Sequence, residues 1–286
     1  MSDDLGAALA AMFPGEGGRV AGYYLPVCAW LAARAREGRR VVALNGPQGA
    51  GKSTLCAAAV GALGAVGVRA VTVSVDDFYL PFDDQRRLAA RHPGNPYLEF
   101  RGYPGTHDVA LGAATLDALR ADVGGGVSVP VYDKSAHGGR GDRAPEAQWR
   151  RVTGPFDLVL LEGWMLGFAP VPTGALPDAR MAPSNDALTA YQSWHRRCDA
   201  LVHLVMADDR SVVRWRVDAE RARRASGAAG LSDEAARDYV LRFVPAYEAW
   251  VGPMRADPPV RGPRMTVVLG DDRAPIDVVE DGETGR

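Results

Sequence analysis

The sequence predicts an α/β fold in which helices flank one parallel β-sheet, and three observations lead there. First, the apolar run Val41 to Leu44 stops at a glycine-rich turn and reopens as the Ala-rich stretch Leu55 to Leu63, which reads as strand, loop, helix. Second, further apolar or β-branched runs at 69–75, 157–162, 200–206 and 265–269 alternate with stretches of helical periodicity. Third, no internal repeat or linker divides the 286 residues.

Composition narrows the class. A hydrophobic share of 47% beside 24% charged residues is that of a soluble globular protein. A net charge of −2 gives no drive toward nucleic acid or anionic membrane, so neither is expected as a partner. The three cysteines, Cys28, Cys56 and Cys198, are scattered and form no CxxC pair, against a disulfide framework or a zinc site. The first residues are acidic and lack a signal peptide's basic start and apolar core. No apolar run approaches the roughly 18 residues that span a bilayer. A cytoplasmic monomer acting on a small molecule is expected.

In chain order, residues 1–18 read as a short helix and a loose Pro/Gly segment, an N-terminal extension with some flexibility. An amphipathic helix from Tyr23 to Arg36 packs Tyr24, Val27, Trp30 and Leu31 on one side and ends at Gly38. The first strand, Arg40 to Leu44, runs into Gly46-x-x-x-x-Gly51-Lys52-Ser53. The second, Arg69 to Val75, ends in Asp76 and Asp77, at the strand edge where open α/β sheets collect ligands. A short helix (84–91) leads to an irregular loop carrying Tyr97, Phe100, Arg101, Tyr103 and His107, and such loops tend to carry function. A helix over 108–122 and three glycines precede a short strand, Val127 to Val131. A polar loop from Tyr132 to Arg143 follows. The strand from Asp157 ends in Glu162 and Gly163. A Pro/Gly-rich loop (169–183) leads to a helix over 186–197 and the core strand Ala200 to Met206. A densely basic helix spans Arg210 to Arg224, and a further helix from Ser232 to about Trp250 is kinked at Pro245. A last strand, Met265 to Leu269, is followed by a polar, acidic tail (271–286). One kinase-sized domain over 19–270, with a lid at about 210–230, accounts for all of it.

The chemistry starts at the Gly46 to Thr54 turn. Its spacing is that of the P-loop, with the strand before and the helix after that the motif requires. Glycines let backbone N–H groups close around phosphate oxygens, and the helix start adds its free N–H groups and positive dipole end. Gly46, Pro47, Gln48, Gly49, Ala50, Gly51, Lys52, Ser53 and Thr54 are therefore expected to bind ATP. Lys52 reaches the β- and γ-phosphates, and the Ser53 hydroxyl ligates Mg2+. None of Asn45, Asn95 or Asn185 is followed by lysine, so the guanine signature is missing. Glu162 stands alone before Gly163, unlike the paired Asp-Glu of many motor ATPases. A small-molecule acceptor fits better than water.

Transfer to an alcohol asks for a carboxylate beside the attacking hydroxyl. Asp76 is the expected base, with Asp77 able to exchange roles with it. Glu162 either holds Mg2+ through water or binds substrate hydroxyls. The Arg214–Arg224 segment reads as a lid whose arginines, Arg216 among them, close over the phosphoryl group. A solvated helix laced with pairs such as Glu220–Arg224 explains most of those charges equally well. Arg101, His107, Lys134, Arg140 and Arg143 place five cationic or protonatable groups on loops, which suggests an anionic acceptor such as a carboxylate. Tyr79 and Tyr132 stand beside them as further substrate contacts.

The motifs GPQGAGKST, VDDFYLPFDDQRRL, NPYLEFRGYPGTHD, VPVYDKSAHGGRGDR, LLEGWMLGF and RWRVDAERARR resemble plant-type D-glycerate 3-kinases. These sit in a wider superfamily with uridine kinase, phosphoribulokinase and bacterial-type pantothenate kinase. The resemblance covers roughly residues 20 to 255, and KSAHGGRGDR and EGWMLGF are its most specific portions. It implies a P-loop kinase fold, MgATP as donor and D-glycerate as acceptor. It puts the base at Asp76, the LLEG glutamate at Glu162 and the lid arginines within 214–224. A pantothenate or nucleoside kinase, or an ATP-binding regulatory module without catalysis, are the rival readings.

Overall fold

A computed structural model describes residues 1–208, 210–227 and 230–281. Its main sheet has six strands in the order β10-β9-β8-β1-β7-β2. These are β1 (Val41–Asn45), β2 (Ala70–Ser74), β7 (Leu158–Gly163), β8 (Ala200–Met206), β9 (Arg264–Leu269) and β10 (Pro275–Asp281). The first five are parallel, and β10 runs antiparallel along the edge. All five residues of β1 are buried, because it pairs with β7 on one side and β8 on the other.

Register is what assembles the site. Glu162 of β7 lies level with Leu44 of β1 and with Ser74 of β2. The glycine-rich turn leaves β1 just beyond Leu44, and Asp76 follows two residues after Ser74. Three stretches distant in sequence therefore emerge side by side at the carboxyl edge of the sheet.

Alternation along the strands splits the core into two layers. Val42 and Leu44 face the helices Ser2–Met12, Leu25–Arg36 and Lys52–Ala65, while Val41 and Ala43 face an aromatic layer built on Val109–Ala121, Ala182–His195 and Val244–Ala256. Trp164, Phe168, Trp194, Phe243 and Trp250 fill that second layer.

Several expectations change. Residues 1–18 are not a detached extension: Leu5 and Leu9, one helical turn apart, are fully buried against the P-loop helix layer. The short strand over 127–131 shrinks to β3 (Val127–Val129) and pairs antiparallel with β6 (Arg150–Val152), outside the main sheet. Pro130 ends it, having no N–H to continue a ladder. Pro245 does not kink one helix. It stands in the first turn of Val244–Ala256, separate from Asp233–Leu241, where its missing N–H costs nothing. The acidic tail supplies β10, and residues 282–286 lie outside the described residues, as do 228 and 229 of the lid segment. No helix among the described residues is long and apolar enough to cross a membrane.

Candidate active site

The P-loop is held from three sides. Gly46 N–H donates to Gly163 O at 3.2 Å, tying the loop to β7. Gly49 and Gly51 take φ of 79° and 83°, the left-handed region that glycine enters freely. Gly49 also lies under the basic helix Ser211–Ala225, where a Cβ would meet the Trp215 backbone at 2.9 Å. Gln48 N–H donates to Tyr247 Oη at 3.3 Å. Ala50 is buried, while Ser53 and Thr54 open the helix on its exposed side. Lys52 folds back and donates to Pro47 O at 3.0 Å, and burial lowers its pKa against the opposing pull of Glu162 and Asp76. Ser53 Oγ donates to Glu162 Oε1 at 3.2 Å, and Glu162 is 8% exposed.

The two aspartates after β2 separate by a local capping device. Ser74 starts a single helical turn, Val75–Phe78; its Oγ accepts the Asp76 N–H at 3.3 Å, and Asp77 Oδ2 accepts the Ser74 N–H at 3.2 Å. Asp77 is thereby turned back onto its own backbone, and burial pushes its carboxyl up to about 6. Asp76 instead meets Lys134 Nζ at 2.6 Å. Burial alone would raise the Asp76 pKa, but the charge and hydrogen bond of Lys134 outweigh it and hold it low. Asp76 in turn raises that of Lys134.

Lys134 arrives on a hairpin between β4 (Tyr132–Asp133) and β5 (Asp142–Arg143). Arginines of the expected cationic cluster also brace this hairpin. Arg101 donates to the carbonyls of Gly139 (2.9 Å), Arg140 and Lys134. Arg143 donates to Tyr79 O at 2.9 Å and pairs with Asp108 at 3.3 Å. Arg140 lies over the Phe100 ring, 4.8 Å from its centroid. Arg101 and Arg143 hold carbonyls and the Asp108 carboxylate, Arg140 lies over a ring, and Lys134 is the cation of the set that meets Asp76.

His107 is not a cation either. It is 5% exposed, and burial takes its pKa down to about 3. Its ring stacks on Tyr79 at 4.3 Å, and Tyr132 meets Tyr79 edge-on at 5.3 Å, so His107, Tyr79 and Tyr132 form one aromatic wall next to Asp76.

In the lid segment, Arg216 pairs with buried Glu220 at 2.5 Å and lies 4.6 Å from the Tyr239 centroid. The Glu220–Arg224 pair expected from spacing is not the one formed: Glu220 also accepts the Leu231 N–H at 2.9 Å, and Arg224 pairs with Asp233 at 2.7 Å. Arg214 pairs with Asp271 and Arg221 with Asp233.

Two residues had no sequence signal. Arg273, in the stretch read as a tail, donates to Gly49 O at 2.8 Å and Trp215 O at 2.9 Å, clasping P-loop to lid helix. Tyr191 stands 2.7 Å from His107 Nδ1. Its position on a helix face of buried residues gives a packing signal and no chemical one. A cavity of about 240 Å³ adjoins Asn45, Gly46 and Pro47 on the side of Tyr247 and Val251. Neither Lys52, Asp76, Glu162 nor Lys134 lines it, so it borders the polar centre and is not that centre.

No protein-family model matches the chain. The chain is 39% identical over 276 residues to the chloroplastic D-glycerate 3-kinase of Arabidopsis thaliana, a match over 89% of this chain and 60% of that protein. The chain thus spans about three fifths of the length of that relative. To the uncharacterised kinase mug58 of Schizosaccharomyces pombe it is 34% identical over 253 residues, covering 84% of this chain and 91% of the relative. The solved structure of D-glycerate 3-kinase from Cryptococcus neoformans superimposes with a TM-score of 0.81 at 26% identity, over 90% of this chain and 99% of that one.

Proposed function

The chain belongs to the plant-type D-glycerate 3-kinase family of P-loop kinases, and on that premise we propose that it transfers the γ-phosphoryl group of ATP to the primary hydroxyl of D-glycerate. The products are 3-phosphoglycerate and ADP. The observation that carries this reading is the Asp76–Lys134 pair at 2.6 Å beside the P-loop: a carboxylate to take the hydroxyl proton, and a cation that suits an acceptor carboxylate.

The reaction divides among residues of one chain, so the reading needs no second subunit. The P-loop N–H groups and Lys52 hold the phosphates, Lys52 exchanging the Pro47 carbonyl for phosphate oxygen. Lys134 releases Asp76 as it takes the acceptor carboxylate. Asp76, freed of the charge that holds its pKa down, becomes a stronger base as the substrate arrives. Oxygen of the attacking hydroxyl bonds to the γ-phosphorus, the β–γ bridging bond breaks, and the proton goes to Asp76 Oδ2. Arg216 closes over the transferring group after leaving Glu220.

Ser53 and Glu162 suit Mg2+: a hydroxyl and a carboxylate, hard oxygens 3.2 Å apart, beside the phosphate cradle. Bound there with ATP, the ion would neutralise charge on the β- and γ-phosphate oxygens. One kinase body over residues 19–270, extended at its ends by the buried N-terminal helix and by β10, is the domain reading that goes with this function.

The test is ADP release with MgATP and a panel of D-glycerate, L-glycerate, pantothenate, uridine and ribulose 5-phosphate. Turnover on D-glycerate supports the reading. Turnover on pantothenate or uridine alone replaces the acceptor and keeps the kinase. ATP binding without turnover on any acceptor points to a regulatory module.

A further inference from the structure

The acceptor side of the site holds a buried donor with nothing to donate to. His107 Nε2 is enclosed and has no hydrogen-bond partner, although the other ring nitrogen is well engaged, 2.7 Å from Tyr191 Oη. The phenol decides which nitrogen carries the proton. Tyr191 Oη accepts the Gly105 N–H at 3.0 Å. With that main-chain donor on its oxygen, the phenol's own hydrogen has His107 Nδ1, at 2.7 Å, as its acceptor. An imidazole that accepts at Nδ1 and is uncharged carries its hydrogen on Nε2. The opposite tautomer would strand the phenol hydrogen in the core.

The surroundings say what that hydrogen is for. The ring is stacked on Tyr79, the two backbones are bridged, and the Tyr79 N–H donates to Asp76 O at 3.4 Å. The imidazole therefore belongs to the wall beside the base. On the reading above, glycerate presents three oxygen groups: a carboxylate for Lys134, a reacting primary hydroxyl for Asp76, and a secondary hydroxyl.

We propose that His107 is a neutral hydrogen-bond donor, through Nε2, to the secondary hydroxyl of the acceptor, and that Tyr191 is the positioning residue that fixes its tautomer. This rests on the glycerate kinase reading. A neutral donor suits the place. A second cation beside Asp76 would compete with the Lys134 exchange, whereas an uncharged N–H recognises a hydroxyl without altering the charge of the base. A buried donor also discriminates, because an acceptor lacking that oxygen leaves it unmade.

The experiment compares D-glycerate with 3-hydroxypropanoate, which keeps the carboxylate and primary hydroxyl and lacks the secondary one, as substrate or competitive inhibitor. His107→Phe should lower kcat/KM for D-glycerate by about tenfold to a hundredfold, the worth of one buried hydrogen bond. It should change the 3-hydroxypropanoate constants by less than about threefold and leave KM for ATP alone. Tyr191→Phe, which retains the packing, should show the same selective loss at smaller size. Nitrogen-15 spectra of the wild-type histidines should report His107 as neutral with the proton on Nε2, and that signal should move on adding D-glycerate and stay put on adding ATP. Equal losses on both acceptors, unchanged kinetics in both variants, or a proton on Nδ1 would overturn the assignment while the kinase reading stands. A wild-type enzyme silent on D-glycerate would overturn the substrate reading and take the assignment with it.

Discussion

Lys134 Nζ lies 2.6 Å from Asp76 Oδ2 although the two residues are 58 positions apart. The hairpin that carries the lysine folds over the end of β2, and the pairing opposes the effect of burial on Asp76. Burial pulls the Asp76 pKa up and Lys134 pulls it down, with the lysine winning. Removing the lysine leaves burial unopposed. Lys134→Met should therefore shift the acid limb of kcat/KM to higher pH and raise KM for the acceptor, with KM for ATP little changed. An acid limb that stays in place would mean that another group governs it.

Asp76→Asn keeps the shape and removes the proposed base. Turnover should fall by about 10²–10⁴-fold, the usual contribution of a positioned general base. ATP affinity, read by calorimetry or fluorescence, should stay within about threefold. A parallel loss of ATP binding would assign Asp76 to the nucleotide and not to the acceptor.

Asp77 carries a liability that pH exposes. Its pKa is raised from 3.8 to about 6, so between those values the native state binds more protons than the unfolded chain. Stability from this group is then present below about pH 4 and lost as pH rises through about 6. Asp77→Asn still accepts from Ser74 N–H and removes the charge. Discounted for partial exposure to about 1 kcal/mol, it should raise Tm at pH 7 by about 2–4 °C and at pH 4 by almost nothing. The same gain at both pH values would show that the carboxylate is not the cause.

Arg216 is parked on Glu220 at 2.5 Å. If it leaves to meet the phosphoryl group, Arg216→Ala should reduce kcat by about 10²–10³-fold, the worth of one transition-state donor. KM for the acceptor should move little. A normal kcat with a lowered Tm would make the pair purely structural.

The N-terminal helix is tested by Leu9→Ala. Leu9 is fully buried, so the substitution should cost about 2–5 kcal/mol. Denaturant unfolding with no measurable change would show that this helix does not share the main core.

Much of the framework was readable from order and spacing. Val41 to Thr54 announces strand, loop and helix by its own periodicity and glycines, and β2, β7, β8 and β9 fall within a residue or two of their expected places. β10 was missed because a strand of Asp, Glu and Val half-exposed on an edge has the composition of a tail. The cationic loop is less legible for a related reason. Charge count does not show that Arg101 and Arg143 also hold carbonyls 38 and 64 positions away.

By itself the sequence determined the P-loop and the carboxylates at strand ends, because each is written in neighbours within a few positions, and the order of strands, helices and motifs along the chain pointed to the sheet and the family. Only the tertiary structure decided that Asp76 and not Asp77 faces Lys134, that Tyr191 orients His107, and that Arg273 clasps Gly49 from 224 residues away. Hydrogen bonds and ion pairs are chosen among groups that meet only when the chain has folded, and a linear pattern carries no record of which partner each donor finds.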